Sequence, residues 1–269
     1  MKLLITGASG GIGRVLREGL AGQYDLVRLA DVVPLPVPPA ANEEWIHFDI
    51  GNLAAATAAC AGIDCVVHLA GIPVEPRENA WEQLLHANIV GCYNMLEASR
   101  LAGVRRFIFA SSNHVVGFYR RDRIVGLDAL PRPDSLYGAS KVFGEALGRL
   151  YADKHEISVA CLRIGSFRPE PEDTRQLATW ISPEDMVQLV KRCVDAPTFH
   201  FVVAYGISNN EGGFWTNRGI EWLEYNPVSR GQDAAVRLAN APAEDAIARL
   251  FHGGSFCSMN FEGSPARID

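Results

Sequence analysis

Positive charge, paired cysteine and long apolar runs are all scarce in this 269-residue chain, and each scarcity closes off a class of function. Twenty-five Lys and Arg stand against 31 Asp and Glu, a formal net charge of −6. That balance leaves no basic footprint for nucleic acid. Six cysteines lie at positions 60, 65, 92, 161, 193 and 257, and none forms a CxxC pair. Zinc spacing is therefore absent and no metal is expected. Their apolar surroundings predict buried, reduced thiols, as in a cytoplasmic protein. No apolar stretch reaches the ~18 residues of a membrane span. Met1-Lys2-Leu3-Leu4-Ile5-Thr6 runs straight into a glycine-rich turn, so no secretory leader is expected there. What is present is ordinary for a folded enzyme-sized protein: 48% hydrophobic and 21% charged residues, ample for a full core.

Short apolar runs alternate with longer amphipathic stretches. Strands are predicted at 3–6, 26–29, 45–48, 65–69, 107–110, 159–163 and 201–205. Helices are predicted at 12–20, 53–60, 81–101 and 137–154, and from Ser182-Pro183-Glu184-Asp185 through Val194. In that last helix Ser is the N-cap, Pro stands first, and acids fill the first turn. Unbroken apolar strands separated by helices indicate a parallel sheet covered on both faces. The fold class is α/β, a Rossmann-type doubly wound sheet. The proline-rich stretch from Pro34 to Pro39 reads as a stiff surface connector.

Thr6-Gly7-Ala8-Ser9-Gly10-Gly11-Ile12-Gly13 follows the first strand and opens the first helix. Gly7 permits a sharp turn, Gly10 lets the backbone approach a pyrophosphate, and Gly13 lets helix pack on strand. The helix start adds free N–H donors and partial positive charge. Gly7, Gly10, Gly11, Ile12 and Gly13 are thus read as a dinucleotide cradle. Asp31 ends the second strand 18 residues after Gly13, placed to bind both ribose hydroxyls and repel a 2′-phosphate, so NAD is expected over NADP. Asp49-Ile50 ends the third strand near the adenine, Leu69-Ala70-Gly71 ends the fourth against the cofactor, and Ile164 ends the sixth. Residues 1–165 are read as the NAD-binding domain. Residues 166–269 are read as a small substrate-covering region interleaved with the last strand.

Tyr137-Gly138-Ala139-Ser140-Lys141 puts Tyr and Lys on one helix face. An ammonium about 4 Å from a phenol, at an effective dielectric of ~20, favours the phenolate by about 4 kcal/mol. Ser111-Ser112 ends the fifth strand, where side chains project into the ligand crevice. TGxxGxxG, the acid after the second strand, the strand-end serine and YxxxK together resemble the extended short-chain dehydrogenase/reductase family. The resemblance implies that Ser112 polarises the substrate oxygen and that Tyr137 exchanges its proton. It implies that Lys141 binds the nicotinamide ribose and depresses the Tyr pKa, with Asn88 supporting the group.

Further motifs narrow the resemblance. Ala110-Ser111-Ser112-Asn113-His114, Arg163-Ile164-Gly165-Ser166, Arg175 and Gly253-Gly254-Ser255-Phe256 are similar to bacterial NAD-dependent uronate dehydrogenases. A buried sugar carboxylate needs charge-assisted donors. Arg175 is expected to supply two, with Ser112, Asn113, His114, Tyr137 and Ser166 completing the substrate set. Arg163 is read as a structural partner of nearby carbonyls. The resemblance implies oxidation of galacturonate and glucuronate at C1: Tyr137 takes the hydroxyl proton, hydride passes to NAD, and an aldaric acid lactone results. A homo-oligomer built on helices 81–101 and 137–154 is expected. Two other readings stand beside it: a nucleotide-sugar epimerase or dehydratase, and a non-catalytic NAD-sensing regulator.

Overall fold

A computed structural model describes residues 1–268, and Asp269 lies outside the described residues. Seven parallel strands form the central sheet: β1 (Lys2–Thr6), β2 (Leu26–Asp31), β3 (Glu43–His47), β4 (Cys65–His68), β5 (Arg106–Ser112), β6 (Ser158–Ile164) and β9 (Phe201–Gly206). Their order is β3-β2-β1-β4-β5-β6-β9. The chain order reverses between β1 and β4, which opens the ligand crevice of a doubly wound sheet at their carboxyl ends. A separate two-stranded sheet pairs β7 (Ser166–Phe167) with β8 (Trp180–Ile181).

Burial explains the apolar strands. Every residue of β4 and β6 is buried, because helices cover both faces. On one face α1 (Gly11–Gly19) and α7 (Pro183–Asp195) pack Leu16, Met186, Leu189 and Val190 against the sheet. On the other, α2 (Leu53–Cys60), α4 (Gly91–Ala102) and α5 (Leu136–His155) contribute Ala56, Cys92, Met95, Leu96 and Tyr151. All six cysteines are buried and unpaired. Among the described residues no helix is long and apolar enough to cross a membrane.

Two local expectations need correction. The third strand begins two residues earlier than its apolar core suggests, at Glu43. The sheet edge tolerates that acid because the Arg17 guanidinium grips its carboxylate at 2.7–3.0 Å. The predicted continuous helix over 81–101 is broken into α3 (Ala80–Leu84), a π-helical turn (Leu85–Val90) and α4. The extra residue of the π turn swings Asn88 inward, where its amide clamps the Ile72 backbone at 2.8 and 3.1 Å. The Ser182 cap is as expected: its Oγ accepts the Asp185 N–H at 3.0 Å.

Helix α5 carries Tyr137, Lys141 and Glu145 along one buried face. It can lie close to β5 because a Cβ at Gly144 would come within 2.3 Å of the Phe109 ring. Glu145 locks the register. Its carboxylate accepts two bonds from the Arg163 guanidinium on β6, at 3.0 and 2.9 Å, and one from Ser111 Oγ at 2.6 Å. Arg163 also donates to Tyr205 Oη on β9 at 3.2 Å. Its role is structural as expected, although the partner is a carboxylate rather than carbonyls. Finally, Val115, Val116 and Val125 share a small core with Tyr205, Phe214 and Trp215, which ties the chain after β5 to the chain after β9.

Candidate active site

A cavity of about 970 Å³ runs along the carboxyl ends of the strands. At one end it is shaped by the β1–α1 turn. Gly7 turns with φ +72°, and a Cβ there would meet the Ala70 amide nitrogen at 2.7 Å. At Gly13 a Cβ would lie 2.4 Å from the Gly7 carbonyl oxygen. Strand, turn and helix can therefore close together only without those side chains. Helix α1 has no side-chain cap, so its opening amides are left to an external acceptor. Along that opening a Cβ at Gly11 would meet only Phe167, at 3.7 Å, so the backbone borders open space. Asp31 is fixed beside it by the amides of Ser9 and Val33, at 2.9 and 3.1 Å. Asp49 accepts the Gly51 amide at 2.8 Å, which holds its carboxyl below the usual range.

The middle of the cavity is built from α5 and the end of β5. Two devices at its amino-terminal end aim α5: Ser135 caps it, accepting the Gly138 N–H at 3.0 Å, and Glu75 accepts the Tyr137 N–H at 2.7 Å. Burial pushes the Tyr137 phenol up to about 12, with Ser112 acting to lower it and Asp134 to raise it. Burial lowers Lys141 to about 8. Its Nζ donates to the Ala110 carbonyl at 2.9 Å and sits 5.7 Å from the Tyr137 ring centroid. The expected lysine-driven depression of the phenol is thus reversed in the protein alone. Desolvation penalises both charged forms and is the largest cause at each group.

The far end is polar and partly unsatisfied. Arg175 donates from Nε to the His252 carbonyl at 2.7 Å and from Nη1 to Ser166 Oγ at 3.4 Å. Its Nη2 is buried with no partner, and so is Asn113 Oδ1. Among the described residues these are the two such side-chain atoms, and both residues line this cavity. Burial and the nearby Arg121 lower the Arg175 pKa by more than the carboxylates of Asp173, Asp134 and Glu244 raise it. His114 Nδ1 lies 2.6 Å from Asp134 Oδ2, and Phe256 stacks on the imidazole with centroids 3.9 Å apart.

Comparison with known proteins now decides the family. Residues 3–189 match the NAD dependent epimerase/dehydratase family. The chain belongs to that family. A uronate dehydrogenase of Pseudomonas putida is 40% identical over 95% of this chain and 95% of its own length. The crystal structure of a mutant uronate dehydrogenase from Agrobacterium tumefaciens, complexed with NAD, is 41% identical and superposes with a TM-score of 0.90, over 96% of this chain and 97% of that one. An NAD-dependent glucose-6-phosphate dehydrogenase of Haloferax volcanii is 37% identical over 91% of this chain and 98% of its length.

In this family member the cavity wall includes Gly7, Gly10, Gly11, Ile12, Gly13, Asp31, Asp49, Ile50, Leu69, Ala70, Gly71 and Ile164 from the expected cofactor set. It also includes Ser112, Asn113, His114, Tyr137, Lys141, Ser166 and Arg175. Asn88 is the exception: it stands behind the wall, its amide spent on Ile72 and on Ser140 Oγ at 3.0 Å. Sequence reasoning missed Glu244, and it gave Asp134 and Phe256, both within motifs that carry the resemblance, no role in the site. The Gly253-Gly254 pair beside Phe256 signals a tight approach. Nothing local marks Glu244, whose partner Arg121 lies 123 residues away.

Proposed function

We propose that the protein oxidises hexuronic acids, galacturonate and glucuronate, at C1 to the aldaric acid lactone, with NAD as acceptor. The observation that carries this reading is the buried, partnerless Nη2 of Arg175 in the cavity that also holds Tyr137 and Ser112. A guanidinium so placed calls for an anion on the ligand, and a sugar carboxylate supplies one without a nucleotide.

The residues present fit NAD. The uncapped start of α1, with open space at Gly11, suits a pyrophosphate. The Asp31 carboxylate suits an unphosphorylated ribose. Gly7, Gly10, Ile12, Gly13, Asp49, Ile50, Leu69, Ala70, Gly71 and Ile164 would line it. When bound, NAD supplies the hydride acceptor.

The chain itself moves the proton. Tyr137 Oη, as phenolate, takes the C1 hydroxyl proton, and Ser112 Oγ holds the same oxygen by a hydrogen bond. Lys141, charged below about pH 8, binds ribose hydroxyls and favours the phenolate electrostatically. Arg175, Ser166, Asn113 and His114 orient the sugar through its carboxylate and ring hydroxyls. Residues 1–165 serve the cofactor and 166–269 cover the substrate. The buried unpaired cysteines support a cytoplasmic setting, and exposed Trp81, Tyr93, Leu101 and Leu136 on α3–α5 support a homo-oligomer. An absorbance assay at the NADH band tests the reading. Free galacturonate and glucuronate are expected to reduce added NAD. Turnover of nucleotide sugars in their place would refute it.

A further inference from the structure

The acid end of the cavity holds more fixed charge than a single sugar carboxylate calls for. Arg121 and the carboxylates of Asp173, Asp134 and Glu244 all act on the Arg175 charge. Asp173 is engaged with Gln176, at 2.8 and 3.0 Å, and Asp134 with His114 and Ser135. Glu244 lines the cavity. Its two oxygens accept Nη1 and Nη2 of Arg121 at 2.7 and 2.6 Å, and its side chain is only 16% exposed. Arg121 is itself anchored, donating from Nε to the Phe251 carbonyl at 2.9 Å and lying 5.5 Å from the Phe214 ring centroid. Glu244 is therefore a fixed carboxylate rather than a solvated one. Gly254 shows how near it stands to Arg175. A Cβ built there would lie 2.9 Å from Arg175 Nε and 3.3 Å from Glu244 Oε1. Arg175 Nε and this carboxylate flank one point.

We propose that Glu244 sets the charge count at this end of the site, so that the free Nη2 of Arg175 takes a sugar carboxylate and turns away a sugar phosphate. This rests on the uronate reading and deepens it. A hexuronate and a hexose 6-phosphate differ at C6 alone. The carboxylate brings one negative charge, whereas the phosphate brings about 1.5 to 2 at neutral pH and three acceptor oxygens. Glu244 repels both, but the phosphate meets up to one more unit of repulsion. At an effective dielectric of ~20 and a separation of roughly 8 Å, the Glu244 charge alone accounts for at most about thirtyfold in affinity, and the Arg121 charge paired with it offsets part of that. The competitor is close to hand, since one relative bears the name of a glucose-6-phosphate dehydrogenase.

The test compares kcat/KM for glucuronate and glucose 6-phosphate, with NAD, in the wild type, Glu244→Gln and Glu244→Asp. The wild type is expected to favour glucuronate. Glu244→Gln should shift the ratio toward the phosphate by about tenfold or more. Glu244→Asp, which keeps the charge, should hold the wild-type preference. A purely structural role would lower both substrates alike, and an unchanged ratio in folded Glu244→Gln overturns the proposal. Because Gln weakens the Arg121 clamp, a second measurement needs no variant: glucose 6-phosphate as competitor of glucuronate oxidation by the wild type. Its inhibition constant should exceed the KM for glucuronate, and a comparable or lower value overturns the proposal. Wild type that oxidises glucose 6-phosphate in preference to glucuronate would sink the uronate reading too. A preference for glucuronate that keeps its wild-type size in Glu244→Gln would sink the charge count alone.

Discussion

Arg175→Ala separates binding of the acid group from chemistry at C1. In the wild type the guanidinium is held by the His252 carbonyl and Ser166, leaving Nη2 for the ligand. Truncating one partner of a buried, hydrogen-bonded charge pair costs about 2–5 kcal/mol. Arg175 is half-buried as a residue, which favours the lower part of that span, or about thirty- to three-hundredfold in kcat/KM. The carboxylate sits at C6, remote from the reacting carbon, so its contact is as good before the transition state as in it. The loss should therefore fall on KM, with kcat little changed. The His252 carbonyl also loses its donor, a net cost of about 1 kcal/mol, or a fall in Tm of about 2–4 °C. The assay is NADH formation from glucuronate and from glucose, which lacks the acid. Glucose oxidation should be nearly untouched. Equal losses on both sugars, or unchanged kinetics on glucuronate, would refute the reasoning.

Other outcomes follow from the same geometry. Tyr137→Phe removes the proton acceptor but leaves the cradle intact, so hydride transfer should vanish while NAD affinity, read by fluorescence titration, stays within about twofold. Asp31→Ala removes the carboxylate held by Ser9 and Val33 and should raise the relative use of NADP by about tenfold or more; an unaltered cofactor preference would contradict the ribose role. Glu145→Gln leaves the Arg163 guanidinium buried without its counter-charge, at a cost of about 3–5 kcal/mol. Its Tm should drop by roughly 10 °C, and a Tm within 2 °C of wild type would show the network to be dispensable.

How much of this was legible beforehand depended on the range of the interactions involved. The succession of strands and helices and the cradle were readable because they rest on local periodicity and on glycines that must be glycine, as at Gly13. The edge strand began early because Glu43 is paired with Arg17, a contact that no window of neighbouring residues reveals. The π turn was invisible because Leu85–Val90 keeps a helical apolar rhythm while slipping one residue. The Tyr137 and Lys141 titrations went the other way from a two-charge estimate, since spacing shows proximity but not burial. Asn88 was expected among the cofactor residues, but its amide is spent on the Ile72 backbone behind the cavity wall. Glu244 sits in an acidic loop stretch that reads as solvated until Arg121 is brought to it.

The central claim is that Arg175 grips the acid of a sugar whose C1 faces Tyr137. A crystal of the protein soaked with NADH and an aldaric acid lactone tests it most directly. The account predicts the carboxylate within hydrogen-bond distance of Arg175 Nη2 and the C1 oxygen within that distance of Tyr137 Oη. A carboxylate turned to bulk solvent, or a C1 oxygen far from the phenol, would contradict it.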